Sequence, residues 1–195
     1  MAARSGMDAL YVSMYEPSEY INDSRMHDWD ATADLIDLAH RRGIDVLALY
    51  GDPAWPEADM RCNAHRQPPR SFSPLELMNW VAKYNESRPD YRFDGVTLDV
   101  ESASGFDETL EGNKYWMEGL LALYKCTLET LPADLKLAVT IKDSCDSVDV
   151  AFEGSVKPTC QHIIDLANKV LETVIVACYH DSADGTIDLI GNEVA

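Results

Sequence analysis

The sequence predicts an α/β fold of the TIM (β/α)8 barrel type, present here as an incomplete barrel. Three observations predict it. Strand-like and helix-like stretches alternate along the whole chain, the strand-like runs begin near residues 8, 44, 93, 135 and 173, and a helix-to-strand pattern recurs. Such alternation builds a parallel sheet joined by crossover helices. The runs lie about 41 residues apart, so eight units would need roughly 330 residues, while 195 residues hold about five.

The elements follow in order. Asp8 to Met14 is a compact run of β-formers. Asp30 to Arg42 carries Leu35, Ile36, Leu38 and Ala39 on a helical face and stops at Gly43. Ile44 to Tyr50 is the next strand, followed by a polar, proline-containing loop to about Arg70. Ser73-Pro74 opens a helix as N-cap and first position, with Leu75, Leu77, Met78, Val81 and Ala82 as its apolar stripe. Phe93 to Glu101 is a third strand, and a long helix from about Glu108 ends before Pro132. Leu135 to Ile141 is the fourth strand, and Cys160 to Leu171 a helix bearing Ile163, Ile164, Leu166 and Ala167. Thr173 to Tyr179 is the fifth strand, and Ile187 to Val194 begins one more helix.

The recurring pattern numbers these units. Ala39-His-Arg-Arg-Gly-Ile-Asp-Val-Leu47 leads from helix to strand, and Ala2-Ala-Arg-Ser-Gly-Met-Asp-Ala-Leu10 has the same form. By analogy the chain starts in the tail of a helix, its strands are barrel strands two to six, and residues 1–195 form a single partial barrel domain. The alternative is a complete five-stranded doubly wound sheet, against which stands the lack of a glycine-rich phosphate loop after the first strand.

Composition narrows the function. With 34 acidic against 16 basic residues the net charge is -18, which disfavours nucleic acid and anionic membrane and suits a neutral partner such as a carbohydrate. No apolar run nears the roughly 20 residues of a membrane helix, and the first residues lack the apolar core of a signal peptide, which leaves secreted and cytoplasmic locations both open. The five scattered cysteines include no C-x-x-C pair, which argues against a zinc site and a disulfide scaffold. Asn22 and Asn85 head N-x-S sequons. No cofactor is expected.

Barrels gather function at the carboxyl ends of their strands. Alternation along Phe93–Glu101 sends Val96, Leu98 and Val100 to the helices, and Thr97, Asp99 and Glu101 to the interior. Two inward carboxylates are costly to bury, and their repulsion raises one pKa, the device that keeps a carboxyl protonated as a general acid.

Phe93-Asp94-Gly95-Val96-Thr97-Leu98-Asp99-Val100-Glu101 resembles the D-G-x-D-x-D-x-E signature on strand four of glycoside hydrolase family 18, the chitinase-like enzymes. Asp94, Asp99 and Glu101 match the first Asp, the third Asp and the Glu, while Thr97 replaces the middle Asp. Strand four is also the number that the repeat assigns to this segment. Ala177-Cys178-Tyr179-His180-Asp181 resembles the family's strand-six M-x-Y-D motif, with Tyr179 matching and Asp181 displaced by one. The resemblance implies glycosidic-bond hydrolysis of a neutral or N-acetylated glycan, with Glu101 as general acid/base and Asp99 orienting it or a substrate acetamido group.

Asp52, Trp55, Tyr15, Tyr179 and Asp181 lie near strand ends and are expected sugar contacts, an exposed Trp stacking on a ring and Asp accepting hydroxyls. Their structural alternatives are an Asp52-Pro53 turn with Trp55 capping the core, and ordinary loop residues. Two other functional classes compete: a non-catalytic glycan-binding barrel, and a Mg²⁺ enzyme using Asp52, Asp99, Glu101 and Asp181 as oxygen ligands.

Overall fold

The computed structural model describes residues 7–14, 29–56, 73–101, 110–142, 145, 148–167 and 173–177. The order of elements is β1 (Ala9–Ser13), α1 (Trp29–His40), β2 (Asp45–Tyr50), α2 (Pro74–Ser87), β3 (Gly95–Leu98), α3 (Leu110–Thr130), β4 (Lys136–Lys142), β5 (Asp149–Phe152), β6 (Ser155–Pro158), α4 (Thr159–Ala167) and β7 (Thr173–Ala177). Five strands pair in parallel in the order β1-β2-β3-β4-β7. Spatial order thus repeats chain order. A doubly wound sheet requires a reversal of strand order at its switch point, and this sheet has none. It is a curled parallel half-barrel sheet within an α/β fold.

Alternation explains the layers. Val46 and Ala48 of β2, Val96 and Leu98 of β3, and Leu137, Val139 and Ile141 of β4 join one apolar core with Ile36, Leu77, Val81, Leu121 and Ile163 from the four helices. Thr97, Ala138 and Thr140 occupy the alternate positions and are buried on the other face. Each fully buried Leu or Val contributes about 1.5–3 kcal/mol through removal of its surface from water.

The helix ends carry the expected signals. Ser73 caps α2 in a complete capping box: its side chain accepts from the Glu76 N–H, and the Glu76 carboxylate accepts from the Ser73 N–H. After α1, the Ile44 N–H reaches the Ala39 carbonyl and the Gly43 N–H the His40 carbonyl, a Schellman closure. The α1 face differs from expectation. Ala33, Ile36 and Ala39 are buried, whereas Leu35 and Leu38 are exposed. In α4, likewise, Ile163 and Leu166 are buried and Ile164 is exposed.

Two features go beyond the sequence reading. A β5–β6 hairpin stands between β4 and α4, closed by Glu153 and Gly154, both at positive φ (47° and 80°), as a type I′ turn requires. His162 is buried against it, its Nε2 3.1 Å from the Val150 carbonyl and its ring edge-on to Phe152. Cys126 of α3 is disulfide-bonded, whereas Cys145 and Cys160 are free and buried.

Asn85 is not a surface sequon. It is buried, its Nδ2 donates to the Phe93 carbonyl and its Oδ1 accepts from the Phe93 N–H, both at 2.9 Å. The amide clamps the residue that leads into β3. Asn22 and the helix expected over 187–194 lie outside the described residues. Among those described, no helix is long and apolar enough to cross a membrane.

Candidate active site at the carboxyl end of β3

Parallel pairing brings the carboxyl ends of all five strands to one end of the sheet. The register joins Ser13 to Leu49, Leu49 to Thr97, Thr97 to Ala138, and Ala138 to Thr173, one layer of side chains on the face away from the helices. The next layer toward the carboxyl ends holds Gly51, Asp99, Thr140 and Ile175. Ordered strand structure in β3 stops at Leu98, and Asp99, Val100 and Glu101 follow in irregular backbone.

Asp99 and Glu101 are both half-buried. The Asp99 carboxyl is raised above the ordinary aspartate value, first by burial and further by the charge of Glu101, while hydrogen bonding from the Thr140 hydroxyl pulls it back down. The sequence assigned the effect to repulsion between the carboxylates; burial is the larger cause.

The backbone around Asp99 is tightly held. Its N–H donates to the Tyr50 carbonyl at 3.1 Å. A Cβ at Gly51 would stand 1.6 Å from the Asp99 carbonyl oxygen, so only glycine lets the end of β2 pass this close. From α3, the buried Tyr124 hydroxyl donates to the Thr140 carbonyl at 2.7 Å. Burial, aided by the neighbouring Asp99 and Cys145, raises Tyr124 well above the usual tyrosine range, so it stays a neutral donor. Sequence reasoning missed Gly51, Tyr124 and Thr140. Only Thr140 left a signal, as an inward position one strand over.

Thr97 is fully buried, and its hydroxyl has no hydrogen-bond partner among the described residues. Asp94 lies at the opposite end of β3. Its Oδ2 accepts from the Val46 N–H at 2.7 Å and lies 2.8 Å from His40 Nε2, a seam between β2, β3 and the end of α1.

Asp52 and Trp55 form the turn that the sequence offered as their structural alternative. Asp52 Oδ1 accepts from the Ala54 N–H at 2.8 Å, and its carbonyl from the Trp55 N–H at 3.0 Å. Trp116 of α3 donates to the Pro53 carbonyl and holds the turn in place. Trp55 is 1% exposed and packs on Tyr50, with ring centroids 5.6 Å apart. The expectation of an exposed stacking ring is therefore corrected: the turn folds the indole into the core. Tyr15, Tyr179 and Asp181 lie outside the described residues. Among those described, no three His, Cys, Asp or Glu side chains gather as a metal ion would need.

A depression of about 660 Å³ lies at the other end of the sheet, against His40, Arg92, Asp94, Asp134 and Lys136. Within it Arg92 pairs with Asp134 and Lys136 with Asp45 at 2.6 Å, and His40 Nε2 lies 2.8 Å from Asp94. Neither Asp99 nor Glu101 lines it, so the candidate site rests on the chemistry at the strand ends.

No protein-family model matches the sequence, and no curated protein matches it. Solved structures do. A chitinase from Rhizomucor miehei superposes with a TM-score of 0.50 at 14% identity, over 93% of this chain and 57% of that one. A chitinase from Bacteroides thetaiotaomicron superposes with a TM-score of 0.42 at 11% identity, over 91% of this chain and 55% of that one. The chain thus spans a little over half the length of either, and the likeness is one of fold.

Proposed function

We propose that the chain carries the acid end of a glycoside hydrolase site acting on a neutral or N-acetylated glycan. The observation that carries this reading is the Asp99–Glu101 pair, set at the carboxyl end of β3 in a half-barrel whose fold is similar to that of a chitinase. Glu101 acts as general acid, protonating the glycosidic oxygen as the bond to the anomeric carbon lengthens. Asp99, held at a raised pKa, hydrogen-bonds the neighbouring carboxyl or a substrate acetamido group. With an acetamido substrate the sugar's own carbonyl oxygen serves as nucleophile, as substrate-assisted glycosidases do. Tyr15, Tyr179 and Asp181, close in sequence to neighbouring strand ends, supply sugar contacts. Asp52 adds a carboxylate at the β2 end.

The test is release of 4-nitrophenol from 4-nitrophenyl chitooligosaccharides and simple aryl glycosides. Turnover that falls at least a hundredfold in Glu101→Gln supports the reading. Turnover unchanged by that substitution sinks it.

Thr97 favours a second reading, a glycan-binding barrel without turnover, because a buried hydroxyl without a partner among the described residues stands where the similar signature has a carboxylate. Saturable chitooligosaccharide binding that survives Glu101→Gln, with no hydrolysis by either protein, selects it.

A further inference from the structure

The signature to which β3 is similar places a carboxylate two residues before Asp99, beneath it in the same row. Here that position is Thr97, and its hydroxyl makes no hydrogen bond among the described residues. The fixing of Asp99 therefore comes from elsewhere, and the register shows where. Leu98 pairs with Val139, so one step further along the parallel ladder sets Asp99 beside Thr140 of β4, on the same interior face. Thr140 is 5% exposed. Its carbonyl is anchored by Tyr124, which keeps this stretch of β4 in register with α3. On the other flank, Gly51 and Tyr50 hold the Asp99 backbone. A β-branched side chain has little χ1 freedom, so a buried threonine on a fixed backbone presents its hydroxyl in one direction.

We propose that Thr140 is the positioning residue of this site: its hydroxyl fixes the Asp99 carboxyl from the neighbouring strand, the task that a carboxylate at position 97 would perform from below. This rests on the reading of Asp99 and Glu101 as the working pair. The hydroxyl donates to the ionised carboxylate and so favours it. The other ionisable groups that act on Asp99 are Glu101, two residues further along the chain, and Tyr124 on α3.

The experiment is a carbon-detected titration of the aspartate carboxyls in the full chain, with Asp99 assigned by its loss in Asp99→Asn. Thr140→Val keeps the shape of the side chain and deletes the hydroxyl. The Asp99 midpoint moves to higher pH, and Thr140→Ser restores it. Thr140→Ala deletes the same hydroxyl and must move the midpoint the same way, which keeps the test open should the valine variant not fold. On an aryl chitooligosaccharide, kcat/KM falls about five- to tenfold in Thr140→Val, the worth of one hydrogen bond. An Asp99 midpoint unmoved in both hydroxyl-free variants overturns the proposal, even if the wild-type chain hydrolyses glycans. A midpoint that moves while the wild type shows no turnover leaves Thr140 as the positioning residue and removes only the hydrolase reading.

Discussion

The Asn85–Phe93 clamp makes the sharpest claim about how β3 is held. Truncation by Asn85→Ala removes a donor and an acceptor together, leaving the Phe93 carbonyl and N–H without their 2.9 Å partners in a buried setting. An orphaned buried backbone group costs about 1–3 kcal/mol. Two of them, softened by partial water entry, predict a loss of about 2–5 kcal/mol. With a urea slope near 2 kcal/mol per molar, the unfolding midpoint drops by about 1–2.5 M. The assay is equilibrium urea unfolding followed by tryptophan fluorescence, since Trp80 packs against both Tyr84 and Phe93 in the same cluster. Glu86→Ala, one residue away and exposed, is the control and shifts stability by less than about 0.5 kcal/mol. An Asn85→Ala variant as stable as that control would refute the clamp, and with it the account of why this sequon is buried.

Two further predictions concern Asp99. Its raised pKa means that the folded state holds the proton more tightly than the unfolded chain, so this group's contribution to stability is full at low pH and is lost as pH rises through the folded value. Asp99→Asn therefore stabilises the chain at neutral pH, and the gain disappears at a pH below the ordinary aspartate value; urea midpoints at the two pH values check this, and a gain of equal size at both contradicts it. Gly51→Ala forces the backbones of β2 and β3 apart, because the added carbon would overlap the Asp99 carbonyl oxygen. Its urea midpoint falls by an amount corresponding to about 2 kcal/mol or more, and a midpoint equal to that of the wild type contradicts the close approach.

Much of the fold was legible because period-two and helical patterns report burial directly. All five parallel strands begin within two residues of their expected starts, and the Ser73-Pro74 opening of α2 is where the capping signal placed it. The helix-facing row of Val96, Leu98 and Val100 followed from alternation alone. The failures have physical causes. Leu35 and Leu38 outrank Ala33 in hydrophobicity, yet α1 turns the face of Ala33, Ile36 and Ala39 to the core and leaves the two leucines exposed. The β5–β6 hairpin has two four-residue strands and a Glu-Gly turn in place of the stronger Asn-Gly signal. Whether Trp55 faces solvent or core depends on which way a turn folds, and that was set by Trp116, 61 positions later in the sequence. The surroundings of Asp99 come from three separate segments, Gly51, Tyr124 and Thr140, and pairing across strands is not written in any one of them.

The sequential strand order bears on how the molecule is made. Each parallel strand finds its partner in the unit synthesised just before it, so pairing needs no segment that is still to emerge from the ribosome. The loops to be closed are about 40 residues long at every step, and loop closure becomes costlier only slowly with length. A growing chain can therefore add units in the order of translation, each new helix covering the apolar face of the strands already docked. The β5–β6 hairpin, closed by a two-residue turn, needs no distant segment for its pairing. By this order the β3–β4 pairing that sets Thr140 beside Asp99 precedes the docking of β7, so that flank of Asp99 is in place before the last parallel strand is added.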